Sequence, residues 1–154
     1  MSELGELFRY NAWANAIVLG VGQDSADPGV HDTLSHLVAV EAVYTLMIRG
    51  GAPAQGADRT AYMSRPNAEF VREAAGLAVT YQKLLSEVSM DAPVTIPWFS
   101  FRPSVRQALL QVLTHSAQHR SQLAMQLEAL GAVVPNFDYI TMVGNELASR
   151  GSSP

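Results

Sequence analysis

PSVRQALLQVLTHSAQHRSQLAMQLEALG, residues 103–131, is the stretch on which the fold turns. Proline opens it, where a missing amide costs nothing, and Gly131 closes it. Neither glycine nor proline interrupts the residues between, so the run predicts one long helix from Pro103 to Leu130. At about 100° per residue from His115, Gln111, Gln118, His119, Gln122 and Gln126 share one side. Leu109, Leu113, Ala117, Ala124 and Leu127 lie opposite. His115 and His119 thus stand one turn apart, with Cβ atoms roughly 5–6 Å from each other. Two imidazoles so placed can reach one divalent ion over bonds of about 2.0–2.1 Å. They can equally be incidental members of a solvated polar face, and this helix alone does not separate the two readings.

Apolar spacing predicts further helices. The first runs from about Ser2 to Val21, with Leu4, Leu7, Phe8, Asn11, Ala14, Asn15 and Val18 on one face. Tyr10, Trp13 and Ile17 form a second apolar stripe, which asks for a second neighbour, here a second copy of the chain. Another helix spans about Asp32 to Arg49 and stops at Gly50-Gly51. His36 sits there among Ala39, Val40, Val43, Leu46 and Met47 and is expected to point inward, with Glu41, Thr45 and Arg49 facing away. After Pro66, the series Phe70, Ala74, Leu77, Tyr81, Leu84 and Val88 marks the cleanest helix. The Gly50–Arg65 stretch reads as a long loop, a lid or a mobile connection. Asp91–Arg102, with Pro93 and Pro97 between Val94, Ile96 and Trp98, reads as an extended link or small hairpin. Asn136–Ser149 forms a short closing helix. The expected fold is all-α, a four-helix bundle with a short extra C-terminal helix, as one domain over residues 1–154.

Composition narrows the function. With 154 residues, 48% hydrophobic and 16% charged, the chain can build one core and is not intrinsically disordered. A net charge of −4 and a single lysine, Lys83, provide no basic stripe, which argues against nucleic acid as a partner. Cysteine is absent, so disulfides and thiolate ligands are excluded and imidazole or carboxylate must serve any metal. Glu3, Glu6 and Arg9 make the N-terminus unlike a secretory signal. The longest apolar stretch, Leu37–Ile48, carries Glu41 and is too short to span a bilayer. A cytoplasmic protein without membrane contact is expected.

His36 decides how the helical pair is read. A buried imidazole needs a partner, because desolvating it alone is costly. That partner is either a backbone carbonyl or a shared metal, and a pair of spaced histidines in the same small chain favours the metal. Three imidazoles would form a nitrogen set with one side open, the pattern of catalytic sites. Asn11 and Asn15 occupy an inward face where leucine is the ordinary choice, so they either hydrogen-bond across the bundle or line the pocket. Arg120 is expected in a surface or interface ion pair, Asp138 as its partner or as the cap of the last helix, and His31 in solvent. No Ser-His-Asp order, phosphate loop or dinucleotide fingerprint is present.

Four segments, taken together, resemble the DinB-like family. They are LFRYNAWAN at 7–15, LSHLV at 34–38, HSAQHRSQL at 115–123 and FDYI at 137–140, which follow one another across nearly the whole chain. The resemblance implies a four-helix bundle, usually a homodimer, with one divalent metal held by His36, His115 and His119. Imidazole suits zinc, nickel and iron alike. Family members include transferases and isomerases that use the small thiols bacillithiol or mycothiol, and many of unknown activity. Ser121 stands where glycine is usual and Ser116 where glutamate is frequent. Both departures leave the triad intact and bear on the substrate instead. Two functions follow: a metal-dependent thiol S-transferase acting on a small electrophile, or a non-catalytic metal- or ligand-binding stress-response protein. A metal-dependent hydrolase is a weaker variant of the first, since no obvious carboxylate adjoins the triad to act as base.

Overall fold

The structure, a computed structural model, describes residues 2–151. Among the described residues it contains six helices and no strand: α1 (Glu3–Gly22), α2 (Pro28–Ile48), α3 (Gly56–Met63), α4 (Asn67–Glu87), α5 (Val105–Ala129) and α6 (Tyr139–Gly151). No helix among them is long and apolar enough to cross a membrane.

The boundaries are chemical. Ser2 Oγ accepts the Gly5 amide at 3.1 Å to start α1, and Asp27 Oδ1 accepts the Val30 amide at 3.0 Å to start α2. Ser104 and Gln107 exchange bonds of 3.3 and 2.9 Å in a capping box, so α5 begins just after the proline that marks it in the sequence. At the other end Gly131 turns to φ +86°, and the amides of Gly131 and Ala132 bond back to Glu128 and Leu127. Gly50 at φ +82° closes α2 in the same way, with Gly51 bonding back to Leu46. A side chain at either glycine would be forced into a left-handed conformation that L-residues avoid.

Each of α1 and α2 packs along both α4 and α5, while α1 and α2 touch each other little. One core results. It draws Phe8, Val18 and Leu19 from α1, Leu34, Leu37 and Val38 from α2, Phe70, Tyr81 and Leu84 from α4, and Leu109, Val112 and Leu123 from α5. Phe8 stacks on Tyr81 with ring centroids 4.4 Å apart. The Pro-rich link before α5 doubles back as the hairpin alternative has it, with an isolated antiparallel bridge from Pro93 to Ser104 and the Val94 amide donating to the Pro103 carbonyl at 2.7 Å. Its alternation seats Val94 and Ile96 in the core and leaves Thr95 outside.

The Gly50–Arg65 loop departs from expectation by containing α3. Its composition hides the helix, because none of the eight residues of α3 is buried and no apolar periodicity is needed. Side chains at its end hold it instead. Tyr62 packs edge-on to Phe70 at 5.4 Å and donates its hydroxyl to Glu73 at 3.0 Å. Arg65 pairs with the same carboxylate and lies over the Tyr62 and Phe70 rings.

Since the capping box satisfies amides that nothing else in the helix can reach, Ser104→Ala is expected to destabilise the fold by about 1 kcal/mol. A urea-unfolding midpoint that matches the parent protein would contradict this account of how α5 begins.

Candidate metal centre

The close packing of α2 on α5 brings all three predicted histidines together. His36 comes from α2, His115 and His119 from successive turns of α5, and one nitrogen from each lies within 4.8 Å of the others. His36 Nε2 and His115 Nε2 approach to 3.1 Å. Ring centroids are 4.3 Å apart for His115 and His119, 4.7 Å for His36 and His119, and 5.0 Å for His36 and His115. An edge near 3 Å is what two nitrogens make when each sits about 2.0–2.1 Å from one ion. His119 Nδ1 donates to Gln122 Oε1 at 3.0 Å, which leaves its Nε2 with a lone pair to offer. His115 Nδ1 is buried and has no partner. The donor set fits a divalent ion.

The environment of two of the imidazoles, His36 and His115, favours the neutral form. Burial pushes the His115 pKa down to about 4, with His119 and His36 adding to the effect. Burial also lowers that of His36, followed by the charges of His119 and Arg59. A ligand nitrogen must be unprotonated to bind metal, so both are prepared for it at neutral pH.

His36 does not point into the core; it is exposed at the edge of the α2–α5 contact. The core side of α2 runs instead through Leu34, Leu37, Val38, Glu41 and Thr45. The residues expected to share the core with His36 divide accordingly. Met47 is buried, but Ala39, Val40, Val43 and Leu46 line an open cleft of about 900 Å³. His36 lies on one side of that cleft, with Pro53, Arg59, Met63 and Trp98 across from α2. On α5 the buried face likewise passes through Val112, Ser116 and Leu123, leaving Ala117 in solvent with Gln111, Gln118 and Gln122. The two α5 histidines are half-buried at its margin.

Beneath the triad lies a polar network. Glu41 was expected to face away, yet it is buried, and its Oε1 accepts Asn11 Nδ2 at 2.8 Å, Asn15 Nδ2 at 2.9 Å and Ser116 Oγ at 2.6 Å. Arg120 was expected at the surface, yet it is 2% exposed and donates to Asn11 Oδ1 at 2.9 Å and Asn15 Oδ1 at 2.8 Å. The two asparagines therefore bond across the helices, which is the first of the two roles considered for them. Thr45 is buried and bonds the Glu41 carbonyl. Asp138 does not pair with Arg120; it is exposed, and its carbonyl accepts the first amides of α6 from Thr141 and Met142. His31 is half-buried between Asn67 Oδ1 at 2.7 Å and the Met63 carbonyl at 3.0 Å.

Sequence reasoning missed Glu41, Ser116, Arg120 and Arg59. The signal for the first three was present: two asparagines one turn apart on an inward face need buried partners, and Glu41 is the only charge in the longest apolar stretch. Arg59 gave none, because it belongs to a helix without periodicity.

A family model described as the DinB family matches residues 1–146. The chain belongs to the DinB family. No curated protein and no solved structure matches it.

The His115 environment gives the metal-free protein a defined acid sensitivity. An unfolded imidazole takes up its proton near pH 6.5, the folded one only near 4, so in between the unfolded state binds more protons. Stability is therefore expected to be full above about pH 6.5 and to fall as the pH drops through that window. Urea midpoints of metal-free protein measured across the window should slope less steeply in His115→Gln. Parallel curves for the two proteins would show that His115 is not held neutral by its surroundings.

Proposed function

We propose that this DinB-family chain holds one divalent metal ion on His36, His115 and His119 and uses it to activate a small cellular thiol for transfer to an electrophile. The observation that carries the reading is the 3.1 Å approach of His36 Nε2 and His115 Nε2 at the margin of an open cleft. On this reading the four long helices are the family's bundle, and α6 is the additional C-terminal helix.

A divalent ion, whether zinc, nickel or iron, supplies Lewis acidity that lowers the pKa of a thiol. Everything else falls to the chain. Three neutral imidazoles leave the ion its full charge, and Gln122 fixes the tautomer of His119. The thiol gives up its proton to solvent, and its sulfur displaces the leaving group of an electrophile seated in the cleft. The apolar wall of α2 gives that electrophile a surface to lie against. A hydrolase is less well supported. The nearby carboxylate, Glu41, is buried, and its Oε1 is engaged by Asn11, Asn15 and Ser116 in holding the helices together.

Purified protein is expected to carry close to one divalent ion per chain, and alanine at any of the three histidines should abolish tight binding. Conjugation of cellular thiols such as bacillithiol, mycothiol or glutathione should vanish in metal-free protein and return on reloading. His115→Ala should lose it while keeping its helical circular dichroism. Full occupancy in His119→Ala overturns the ligand set. A loaded protein that neither binds nor turns over any of these thiols is a non-catalytic metal-binding protein.

The same family reading includes a two-fold homodimer through α1. Tyr10, Trp13 and Ile17 are half-buried; Tyr10 meets Tyr139 of α6 edge-on at 5.6 Å, and Ile17 packs toward the core. Their own chain therefore covers part of the stripe. Apolar surface continues from it onto α6, where Ile140 is 72% exposed and Leu147 62%. Light scattering at micromolar concentration should return twice the chain mass, and Ile140→Asp should reduce it. A monomer in the parent protein overturns this assembly.

A further inference from the structure

We infer that the cleft beside His36 binds a small organic anion, a carboxylate on an apolar aryl or alkyl body, with Arg59 as the group that holds the carboxylate. The inference goes beyond the metal reading and does not depend on it.

The first support is the placement of α2. Its side facing this cleft is built from Ala39, Val40, Val43 and Leu46, none of which is buried, and Leu46 is 42% exposed. Apolar surface gathered in a concavity is characteristic of ligand sites, which enclose roughly 300–1,000 Å³. This open cleft measures about 900 Å³. The opposite wall supplies Met63, Pro53 and the exposed indole of Trp98, a flat face suited to an aryl or alkyl body.

The second support is charge. Arg59 lines the cleft and acts on His36 as a neighbouring positive charge. No acidic residue lines the cleft, and among the described residues no carboxylate lies in ion-pair range of Arg59. Arg9, Arg49 and Arg65, by contrast, pair with glutamates, whereas Arg59 shares its lack of an ion pair with other arginines and is set apart by its place in the cleft. An unmatched guanidinium beside an apolar wall complements a carboxylate, which it can grip through two parallel hydrogen bonds.

Phenylbutyrate and its neutral counterpart phenylbutanol test this, with binding followed by calorimetry on chelator-treated protein. The acid should bind roughly tenfold more tightly than the alcohol, the factor that corresponds to about 1.4 kcal/mol. In Arg59→Gln the acid should fall to the level of the alcohol, whose own affinity stays unchanged. Ala39→Trp and Ala54→Trp fill the cleft from opposite walls and should weaken both ligands; two variants are used, each checked for folding by circular dichroism. Equal affinity for acid and alcohol in the parent overturns the proposal. So does an unchanged affinity in Arg59→Gln, or in both folded tryptophan variants. If the acid binds only metal-loaded protein it is merely a metal ligand, and the cleft site fails while the metal reading stands. Binding of the acid to His115→Ala, which should lack metal, supports the cleft site whatever becomes of the triad.

Discussion

A buried carboxylate and a buried guanidinium, joined through two asparagine amides, set the positions of everything else. Glu41 of α2 and Arg120 of α5 do not bond each other directly; Asn11 and Asn15 of α1 present nitrogens to the one and oxygens to the other. Tyr81 of α4 completes the connection by donating to the Glu41 carbonyl at 2.7 Å. Removing a charge from water costs several kcal/mol, and losing one partner of a buried pair costs about 3–5 kcal/mol. The arrangement is tolerable because the carboxylate and the guanidinium each find several partners, although Arg120 Nε is buried without one. That makes it a register lock: sliding α5 by one turn against α2 would strand both charges.

The imidazoles inherit their geometry from that lock. Ser116 and Arg120, which reach into the network, directly follow His115 and His119 in the chain. Two neighbouring residues on a helix point about 100° apart, so fixing one pair inward fixes the other pair at the margin. On α2, Glu41 and His36 are five positions apart, again on different sides of the helix. The polar core and the histidine triad are two faces of a single α2–α5 contact, and the nitrogens converge because the charges beneath them do.

The long helices were legible because their signals are local. Ser104 with Gln107, the glycines at 50 and 131, and the four-and-three spacing from Phe70 to Leu84 each act within a few residues of the boundary or face they specify. The three histidines were legible as a set through their spacing and the family resemblance. Which face of α2 is buried was not. Its apolar residues wrap most of the helix, so hydrophobicity leaves the rotation open, and the decision comes from Glu41 finding partners 26 to 75 residues away. The same long-range choice turned His36 outward and Arg120 inward. Helix α3 escaped notice for the opposite reason, having no buried face to leave a pattern.

The bond from Arg120 to Asn11 spans 109 residues of chain. Glu41 emerges from the ribosome long before the charge that offsets it, and the segment carrying α1 and α2 cannot bury that carboxylate at an acceptable free energy until α5 has been made. The N-terminal portion can engage Glu41 through Asn11 and Asn15 but lacks its balancing charge until α5 is made. Ordering must wait for most of the chain and then occur nearly at once, with loop closure over many residues coming before any reward. Cutting or permuting this protein between α2 and α5 would divide a charge balance as well as a core.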